Sequence, residues 1–244
     1  AMGATPSFTC APYLLDDVPD AGENIGWAES NAVIFANSVL GARTQKYPDL
    51  IDVCIALTGR APLTGTHSHE GRSPTVLVDV AEFPRFDDSL YPLLGYHIGK
   101  LVSGNIPFVC GLEEMKPNMS DLKAFSAAFG TTTSSPMFHM RGVTPEAKVF
   151  GQSLQKLKSV TVDQTDLLNS WRELNTAKDA SVGLVSLGNP HFSLEEFDQL
   201  ARLCIGRKKD ASVKMVITTG RQTYQRALTA GFTCTLEEFG ASII

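Results

Sequence analysis

The sequence predicts an α/β fold built on mostly parallel sheets, and three observations support this. Short apolar runs such as SPTVLVDV and SVGLVSLG alternate with helix-length segments over residues 73–152 and 181–244. Short loops rich in glycine, asparagine and proline separate these segments. The hydrophobic share, 43% of 244 residues, is ordinary for a globular protein. Strands and helices that alternate in this way give parallel sheets flanked by helices.

The length allows one large domain or two modest ones. We expect two lobes. Residues 1–152 would form an α/β lobe that carries Cys10 and the WAESNA motif, and residues 153–244 a smaller α/β lobe that carries the GNPH and TTGR loops. The final residues, FTCTLEEFGASII, end on a strand-like run, and we therefore expect the chain to be truncated there.

Charge and cysteine usage exclude several classes of protein. The formal net charge is −5 and no Lys/Arg tract is present, which argues against a nucleic-acid or membrane surface. No apolar run approaches the ~20 residues of a membrane span. Five cysteines, an odd number without a CxxC pair, indicate a reducing, cytoplasmic compartment rather than a disulfide framework.

The stretch from Phe8 to Thr44 is the densest in unusual residues. Amide and hydroxyl groups interleave there with Ala, Val, Ile and Phe, without a charge run. Polar groups taken into an apolar setting must be hydrogen-bonded. The stretch therefore builds a polar network or lines a site. Its segment Ala28–Leu40 predicts a helix that begins near Asn24 or Gly26 and ends at Gly41.

Further elements follow in order. DVCIALT is compatible with a strand or a helix, and GRAPLTGTHSHEGRS with a loop. SPTVLVDV, IPFVCGL and PMFHMRGV predict strands. Helices are predicted between and after them: one capped by Asp87 or Ser89 and running to Val102, one capped by Ser120-Asp121 and stopped by Gly130, and one beginning at Thr144-Pro145-Glu146.

The remaining part follows the same alternation. SLQKLKSVTV is compatible with a strand or a linker, and Thr165–Lys178 predicts a helix. SVGLVSLG and VKMVITTG predict strands. Helices are predicted from Ser193 to Cys204 and from Arg221 to Ala230.

Ligands of parallel sheets bind beyond the carboxyl ends of the strands, and three loops qualify. They carry Arg141-Gly142, Gly188-Asn189-Pro190-His191 and Thr218-Thr219-Gly220-Arg221. The last could hold a carboxylate or a phosphate, or simply cap a helix. Nucleotide-binding and serine-hydrolase fingerprints (GxGxxG, GxxxxGK[ST], GxSxG) are missing from the sequence.

Several single residues are candidates for chemistry. Cys10 lies among polar and loop-forming residues and could ligate a metal, attack an electrophile, or be a buried thiol. His67 and His69 form an HxH pair that could bind a metal, contact a substrate or interface, or belong to a polar loop; in an extended segment both would point the same way. His139, inside a predicted strand, is interpreted as a core or edge histidine.

Taken together, a series of motifs resembles the aconitase X family. They are TCAPYL, GENIGWAESNAV, FANSVLGART, TGRAP, GTH, RGVTPEA, SLGNPHFSLEE and VITTGR, and they occur in the family's order from about Ser7 to Ile244. Members of the family look like hydro-lyases and include cis-3-hydroxy-L-proline dehydratases and mevalonate 5-phosphate dehydratases. The resemblance implies aconitase-like lobes, an iron or iron–sulfur centre that acts as a Lewis acid on the leaving hydroxyl, and removal of a proton next to a carboxylate.

The resemblance also implies site residues. Cys10 matches the family's first cluster cysteine, with Asn189 and His191 beside the metal. Substrate contacts are expected at the following residues: Glu29, Ser30, Asn31, His67 and Arg221. The catalytic base, thought to be a serine of a small swivel domain or subunit, and the family's last cluster cysteine are expected outside this sequence, as is an N-terminal segment. The isolated chain is therefore expected to have little or no activity.

One departure from the family pattern bears on the substrate and the metal. The phosphomevalonate branch has cysteine in a Gly-Cys-Pro-His loop, where this sequence has Asn189. Asparagine is a poor iron ligand beside thiolate, so the resemblance favours the hydroxyproline branch, with a [2Fe–2S] or mononuclear iron centre. The expected reaction is loss of water from cis-3-hydroxy-L-proline to give a pyrroline carboxylate. The alternatives are a mevalonate 5-phosphate dehydratase large subunit, a non-catalytic scaffold that binds a partner subunit, and a thiol enzyme that uses Cys10.

Overall fold

A computed structural model describes residues 7–48, 50–83 and 87–244, with the side chain of Gln152 excepted. The chain forms two compact units. The central unit is Pro19–Thr176, and the terminal unit combines Ala1–Val18 with Ala177–Ile244. This division differs from the boundary predicted after residue 152. The reason is that the segment after that boundary adds an edge strand to the sheet of the central unit.

The central unit is built on a four-stranded parallel sheet. Its strands are β1 (Val76–Val80), β2 (Pro107–Cys110), β3 (His139–Met140) and β4 (Lys158–Val162), in the order β3-β2-β1-β4. The register pairs Val76 with Pro107 on one side and with Lys158 on the other. The predicted parallel sheet is confirmed, and SLQKLKSVTV contributes a strand.

Two helices begin the central unit. α1 (Ser30–Phe35) continues into a π-helical turn, Ala36–Leu40, and α2 (Ile51–Thr58) follows. The predicted stop at Gly41 is confirmed, since this glycine has φ 75° and its N–H donates to the carbonyl of Ala36. The predicted start near Asn24 or Gly26 is wrong, because Glu29 still has extended backbone. The ambiguous DVCIALT segment is helical.

Helices α3 (Leu90–Val102), α4 (Met119–Thr132) and α5 (Gln164–Leu174) complete the central unit. α3 and α4 approach closely, since a Cβ added at Gly95 would lie 2.3 Å from the carbonyl oxygen of Phe125. Phe125, Phe129 and Phe138 form the aromatic core beneath them, with the rings of Phe125 and Phe138 4.6 Å apart. Glycine at this crossing therefore allows a bulky aromatic layer to pack below it.

Two predicted helices of the central unit differ from the structure. α4 begins after Asn118, which forms a capping box with Asp121, and it runs through Gly130. A Cβ at Gly130 would lie only 3.1 Å from Cδ1 of Ile34, so this glycine serves packing against α1 rather than helix termination. The helix predicted from Thr144 is replaced by 3-10 turns at Ala147–Val149 and Gly151–Lys156.

The terminal unit has a three-stranded parallel sheet with helices between its strands. The strands β5 (Leu184–Leu187), β6 (Lys214–Ile217) and β7 (Ser242–Ile243) lie in that order. The helices are α6 (Leu194–Cys204), α7 (Arg221–Thr229) and α8 (Phe232–Phe239), and α6 begins with the predicted Ser193 cap. Asp16 accepts hydrogen bonds from Gln222 and Arg226, which fastens the N-terminal segment to α7.

No helix among the described residues is both long and apolar enough to cross a membrane. None of the five cysteines forms a disulfide, and Cys110 and Cys204 are buried.

Candidate active site

Cys10 lies in the terminal unit against the GNPH loop, although the two are 181 residues apart in sequence. Its Sγ accepts a hydrogen bond from the backbone N–H of His191 at 3.3 Å. The residue is partly exposed, unlike the buried Cys110 and Cys204. A cysteine sulfur in such a position is within reach of a metal or an electrophile. The structure thus brings together Cys10 and the loop that the resemblance places beside the metal.

Thr9 holds the side chain of His191 in the same place. Its Oγ1 is 2.9 Å from Nδ1 of His191 and also accepts a hydrogen bond from the N–H of Ala11 at 3.1 Å. A ring nitrogen that is engaged in this way fixes the orientation of the imidazole. Sequence reasoning missed Thr9, although its position beside Cys10 in the TCAPYL motif was the available signal.

The loops after β5 and β6 are hydrogen-bonded to each other. The N–H of Phe192 donates to the carbonyl of Thr218 at 3.0 Å, and the hydroxyl of Thr219 donates to the carbonyl of Phe192 at 2.7 Å. Gly188 permits this approach: it has φ 95°, and a Cβ there would lie 2.0 Å from the oxygen of Thr218. The carboxyl ends of two parallel strands thus present one continuous surface, as expected for this type of sheet.

Asn189 and Arg221 are exposed on these two loops. The Asn189–Pro190 peptide bond is cis. Arg221 is the first residue of α7, and its guanidinium has no hydrogen bond or ion pair with any described residue. The Thr219 hydroxyl does not cap α7, because it is bound to Phe192. The arginine is therefore available to an anion.

A second group of predicted residues lies in the central unit, at the beginning of α1. Glu29 and Ser30 are exposed, whereas Asn31 is 8% exposed. Nδ2 of Asn31 donates to Oε1 of Glu29 at 3.1 Å. This bond fixes the carboxylate of Glu29, so that a charged acceptor and, at Ser30, a neutral donor are exposed at neighbouring positions of the chain.

His67 lies below the surface of the central unit and is 3% exposed. Its Nδ1 is 2.8 Å from Oδ1 of Asn24, and its Nε2 is hydrogen-bonded to the hydroxyl of Tyr47. Burial, and secondarily the charges of Arg43 and Arg72, lower the pKa of His67. A neutral imidazole would donate from Nδ1 to Asn24 and accept the Tyr47 proton at Nε2. Sequence reasoning missed Tyr47, for which no motif gave a signal.

His67 and His69 lie in different surroundings, because the predicted loop is turned and not extended. The loop forms two 3-10 turns, Gly65–His67 and Glu70–Arg72, and His69 is exposed beside the guanidinium of Arg43, 3.2 Å away. Across the ranges that the structure describes, no group of three or more His, Cys, Asp or Glu side chains could hold a metal ion.

Other polar residues of the stretch Phe8–Thr44 belong to a buried hydrogen-bond network around Arg72. Arg72, 1% exposed, donates from Nε to both carboxylate oxygens of Glu146 at 2.8 and 2.9 Å. It also donates from Nη2 to the carbonyl of Asn37 at 2.7 Å and from Nη1 to the carbonyl of Thr66 at 3.0 Å. The carbonyl of Asn37 belongs to the π-helical turn, so the arginine satisfies a backbone group there.

The amide of Asn37 extends this network. Its Oδ1 accepts from the N–H of Thr44 at 2.9 Å, and its Nδ2 donates to the carbonyls of Thr44 and Pro136 at 3.0 Å. His139, fully buried as predicted for a core histidine, donates from Nε2 to the carbonyl of Arg72 at 2.7 Å. The buried polar residues of the stretch Phe8–Thr44, such as Asn37 and Thr44, therefore stabilise the fold.

Comparison with protein families covers nearly the whole chain with three consecutive domain models. Residues 1–70 match the aconitase X first domain, residues 74–172 the second domain and residues 182–244 the third domain.

Curated relatives agree with this assignment. The chain is 53% identical to the cis-3-hydroxy-L-proline dehydratase of Pseudomonas aeruginosa and 50% identical to that of Hypocrea jecorina, in each case over 100% of this chain and 42% of the relative. It is 36% identical to the phosphomevalonate dehydratase large subunit of Thermococcus kodakarensis, over 100% of this chain and 61% of that protein. The chain thus spans less than half the length of the two hydroxyproline dehydratases.

Among solved structures, a crystal structure of aconitase X from Thermococcus kodakaraensis in its holo-form superposes with a TM-score of 0.90. The sequence identity is 34%, and the match covers 100% of this chain and 61% of that one. Three domain models in order, relatives across the full chain and a matching fold lead to one assignment: the chain belongs to the aconitase X family.

Proposed function

We propose that this chain is part of a hydro-lyase that removes water from cis-3-hydroxy-L-proline. The observation that carries the proposal is the difference in sequence identity. The chain is 53% and 50% identical to the two cis-3-hydroxy-L-proline dehydratases but 36% identical to a phosphomevalonate dehydratase large subunit. Asn189, in place of the cysteine of the phosphomevalonate branch, points the same way.

The group at the beginning of α1 suits this substrate. At neutral pH the substrate carries a ring ammonium, a carboxylate and a hydroxyl. Glu29, held by Asn31, offers a carboxylate to the ammonium, and the exposed Ser30 offers a hydroxyl to the substrate carboxylate. Because both protein groups lie on one short segment, they can bind the two ends of an amino acid together.

Arg221 is the proposed second contact for an anionic group, since its guanidinium is exposed and uncommitted among the described residues. His67 is proposed to act indirectly. Its buried ring is bonded to Asn24 and Tyr47, so it would fix these two segments rather than touch the substrate. The residue that removes the proton next to the carboxylate is not assigned to this chain.

Cys10 is the proposed thiolate ligand of an iron centre, and this centre would supply Lewis acidity toward the leaving hydroxyl. The described residues only partly fit such a centre. They supply one partly exposed cysteine sulfur, with an N–H donor beside it, but no set of three ligand side chains. Asn189 adds only a weak amide donor. The binding roles proposed for Glu29, Ser30 and Arg221 do not depend on the metal.

A small swivel domain or subunit is the proposed partner. Relatives that are 30–36% identical to this chain are named large subunits, a name that implies a second component of those enzymes. For this chain, the small swivel component would be either a further domain of the same polypeptide or a separate polypeptide.

The test is a comparison of two substrates with the complete enzyme of which this chain is a part, reconstituted with iron under anaerobic conditions, because the isolated chain is expected to have little or no activity. Cis-3-hydroxy-L-proline should lose water, seen by mass spectrometry as a product lighter by one water, whereas mevalonate 5-phosphate should remain unchanged. Preferential dehydration of mevalonate 5-phosphate would overturn the proposal and favour the large-subunit alternative.

A matched pair of variants tests the ligand assignment separately. Cys10→Ala should lower the iron content after reconstitution, whereas Cys234→Ala, a change at an exposed cysteine on α8, should leave it unchanged. Equal iron in both variants would remove Cys10 from the ligand set without deciding the substrate.

A further inference from the structure

Three side chains of the central unit form a chain of two hydrogen bonds that ends at a partly exposed tyrosine. The hydroxyl of Tyr47 is bonded to Nε2 of His67, and Nδ1 of His67 is 2.8 Å from Oδ1 of Asn24. The imidazole between the two partners is 3% exposed, whereas Tyr47 is partly exposed. A ligand can therefore reach the tyrosine but not the histidine behind it.

The direction of both hydrogen bonds follows from the Asn24 amide. An amide oxygen can only accept, so Nδ1 of His67 carries the hydrogen. Burial, followed by the charges of Arg43 and Arg72, lowers the pKa of His67, which keeps the imidazole neutral at neutral pH. Its Nε2 then has no hydrogen and accepts the proton of the Tyr47 hydroxyl. Burial raises the pKa of Tyr47, so the phenol retains this proton.

The oxygen of Tyr47 consequently has a fixed hydrogen-bonding role. Its single proton is donated to His67, so toward a ligand the oxygen can only accept. A carboxylate, which has no hydrogen to donate at neutral pH, is not a partner for this oxygen. A hydroxyl or an ammonium group is.

The fold places Tyr47 toward the beginning of α1. A parallel bridge joins Asn24 to Arg43, and the two segments run from this bridge in the same direction. Glu29 follows on one segment and Tyr47 on the other, five and four residues beyond the bridge. Both residues therefore lie toward the same end of the paired segments.

The end of α4 contacts both segments as well. A Cβ added at Gly130 would lie 3.7 Å from the backbone carbonyl carbon of Ser30. Nζ of Lys46, the residue before Tyr47, donates to the carbonyl of Thr133 at 2.9 Å. Gly130 and Thr133 are about one helical turn, or roughly 5 Å, apart along the axis. The Tyr47 segment thus reaches the same end of α4 as the residues proposed to bind the substrate.

We propose that Tyr47 recognises the hydroxyl of cis-3-hydroxy-L-proline and so determines specificity, an inference that rests on the proposed function. The substrate carboxylate has no hydrogen to donate, and the ring ammonium is matched by the carboxylate of Glu29. The hydroxyl is the remaining donor, and a neutral acceptor of fixed direction suits it. His67 and Asn24 are positioning residues that act through Tyr47. A site built to bond a substrate hydroxyl discriminates against the analogue without it, here L-proline.

The first experiment compares two ligands of the complete enzyme of which this chain is a part. Tyr47→Phe should lower kcat/KM for cis-3-hydroxy-L-proline about tenfold, because one hydrogen bond is lost. The inhibition constant of L-proline should stay nearly unchanged, which also shows that the variant is folded. The matched control is Tyr96→Phe, a change at a tyrosine whose hydroxyl donates to Glu173, and it should alter neither constant.

The second experiment measures the direction of the hydrogen bonds without substrate. Nitrogen NMR of the same enzyme, isotope-labelled at histidine and with His67→Gln to identify the signals, should show hydrogen on Nδ1 of His67 and none on Nε2. Hydrogen on Nε2 would overturn the proposal. So would a Tyr47→Phe enzyme that loses nothing, or that loses equally toward both ligands. A wild-type enzyme that does not dehydrate cis-3-hydroxy-L-proline would overturn the proposed function together with this inference, whereas the other three results overturn the inference alone.

Discussion

The two ends of the first helix carry similar residues and use them differently. At its beginning, Glu29 and Ser30 are exposed, and a side-chain hydrogen bond ties Glu29 to Asn31. At the π-helical turn, Asn37 and Ser38 are 1% and 2% exposed, and every polar atom of Asn37 is bonded to protein. Amides and hydroxyls in a sequence therefore do not by themselves indicate a site.

Burial decides between the two uses. A buried amide must find protein partners because no water reaches it, and in finding them it fixes the segments it joins. An exposed carboxylate or hydroxyl can exchange water for a ligand at little cost. We call the π-helical turn with Asn37 and Ser38 the sealed end of this helix, and its beginning at Glu29 and Ser30 the open end. The fixed segments of the sealed end would make the open end rigid. Variants at each end separate the two roles.

The largest effect on stability is expected from Arg72→Met. This change removes a buried guanidinium and leaves the Glu146 carboxylate and the carbonyls of Asn37 and Thr66 without their donor. Breaking a buried ion pair from one side costs about 3 kcal/mol or more. Urea unfolding monitored by circular dichroism measures the loss.

Arg141→Met is the matched control, because Arg141 is half exposed and 3.7 Å from Glu113. The control should cost less than about 1 kcal/mol. Equal losses in the two variants would show that the Arg72 network does not hold the sealed end together.

The next effect concerns pH and two buried histidines of the central unit. Burial is the main cause that lowers the pKa of both His67 and His139 in the folded protein. The unfolded chain therefore binds more protons once the pH falls below about 6.5, and stability decreases as the pH falls through that value toward the folded pKa. Above it the contribution is fully present.

The free energy of unfolding, measured at neutral and at mildly acidic pH, gives the slope of stability against pH. His67→Gln should reduce it more than His69→Gln, a change at the exposed histidine two residues later. If His67→Gln and His69→Gln gave the same slope, His67 would not be the neutral histidine that its surroundings favour.

Much of the fold could be predicted from the sequence because strand and helix signals are local. The apolar runs of both sheets and the caps at Gly41 and Ser193 agree with the structure. Gly130 misled the prediction, since its purpose is contact with Ile34, a residue distant in sequence. The helix predicted at Thr144-Pro145-Glu146 did not form, and the Glu146 carboxylate there is bonded to Arg72.

The candidate site was less predictable for the same reason. Cys10 could be identified from its unusual neighbours, but its contact with His191 joins residues 181 positions apart. Tyr47 gave no signal at all, because its role arises only from the His67 ring that the loop turns toward it. Long-range partners of this kind follow from the fold and not from the motif.

The smallest effect on stability, and the clearest separation of the two ends, is expected from Ser30→Ala. Because Ser30 is exposed, the free energy of unfolding should change by no more than about 0.5 kcal/mol. Loss of one hydrogen bond to the substrate carboxylate should weaken binding of cis-3-hydroxy-L-proline about tenfold in a calorimetric titration.

Asn37→Ala, two turns along, is the contrasting variant. It should destabilise the protein by about 2 kcal/mol or more, yet leave the affinity of the folded fraction nearly unchanged. A destabilised Ser30→Ala protein with unaltered affinity would show that the open end is also structural, and the proposed substrate contact would then have to be sought around Arg221.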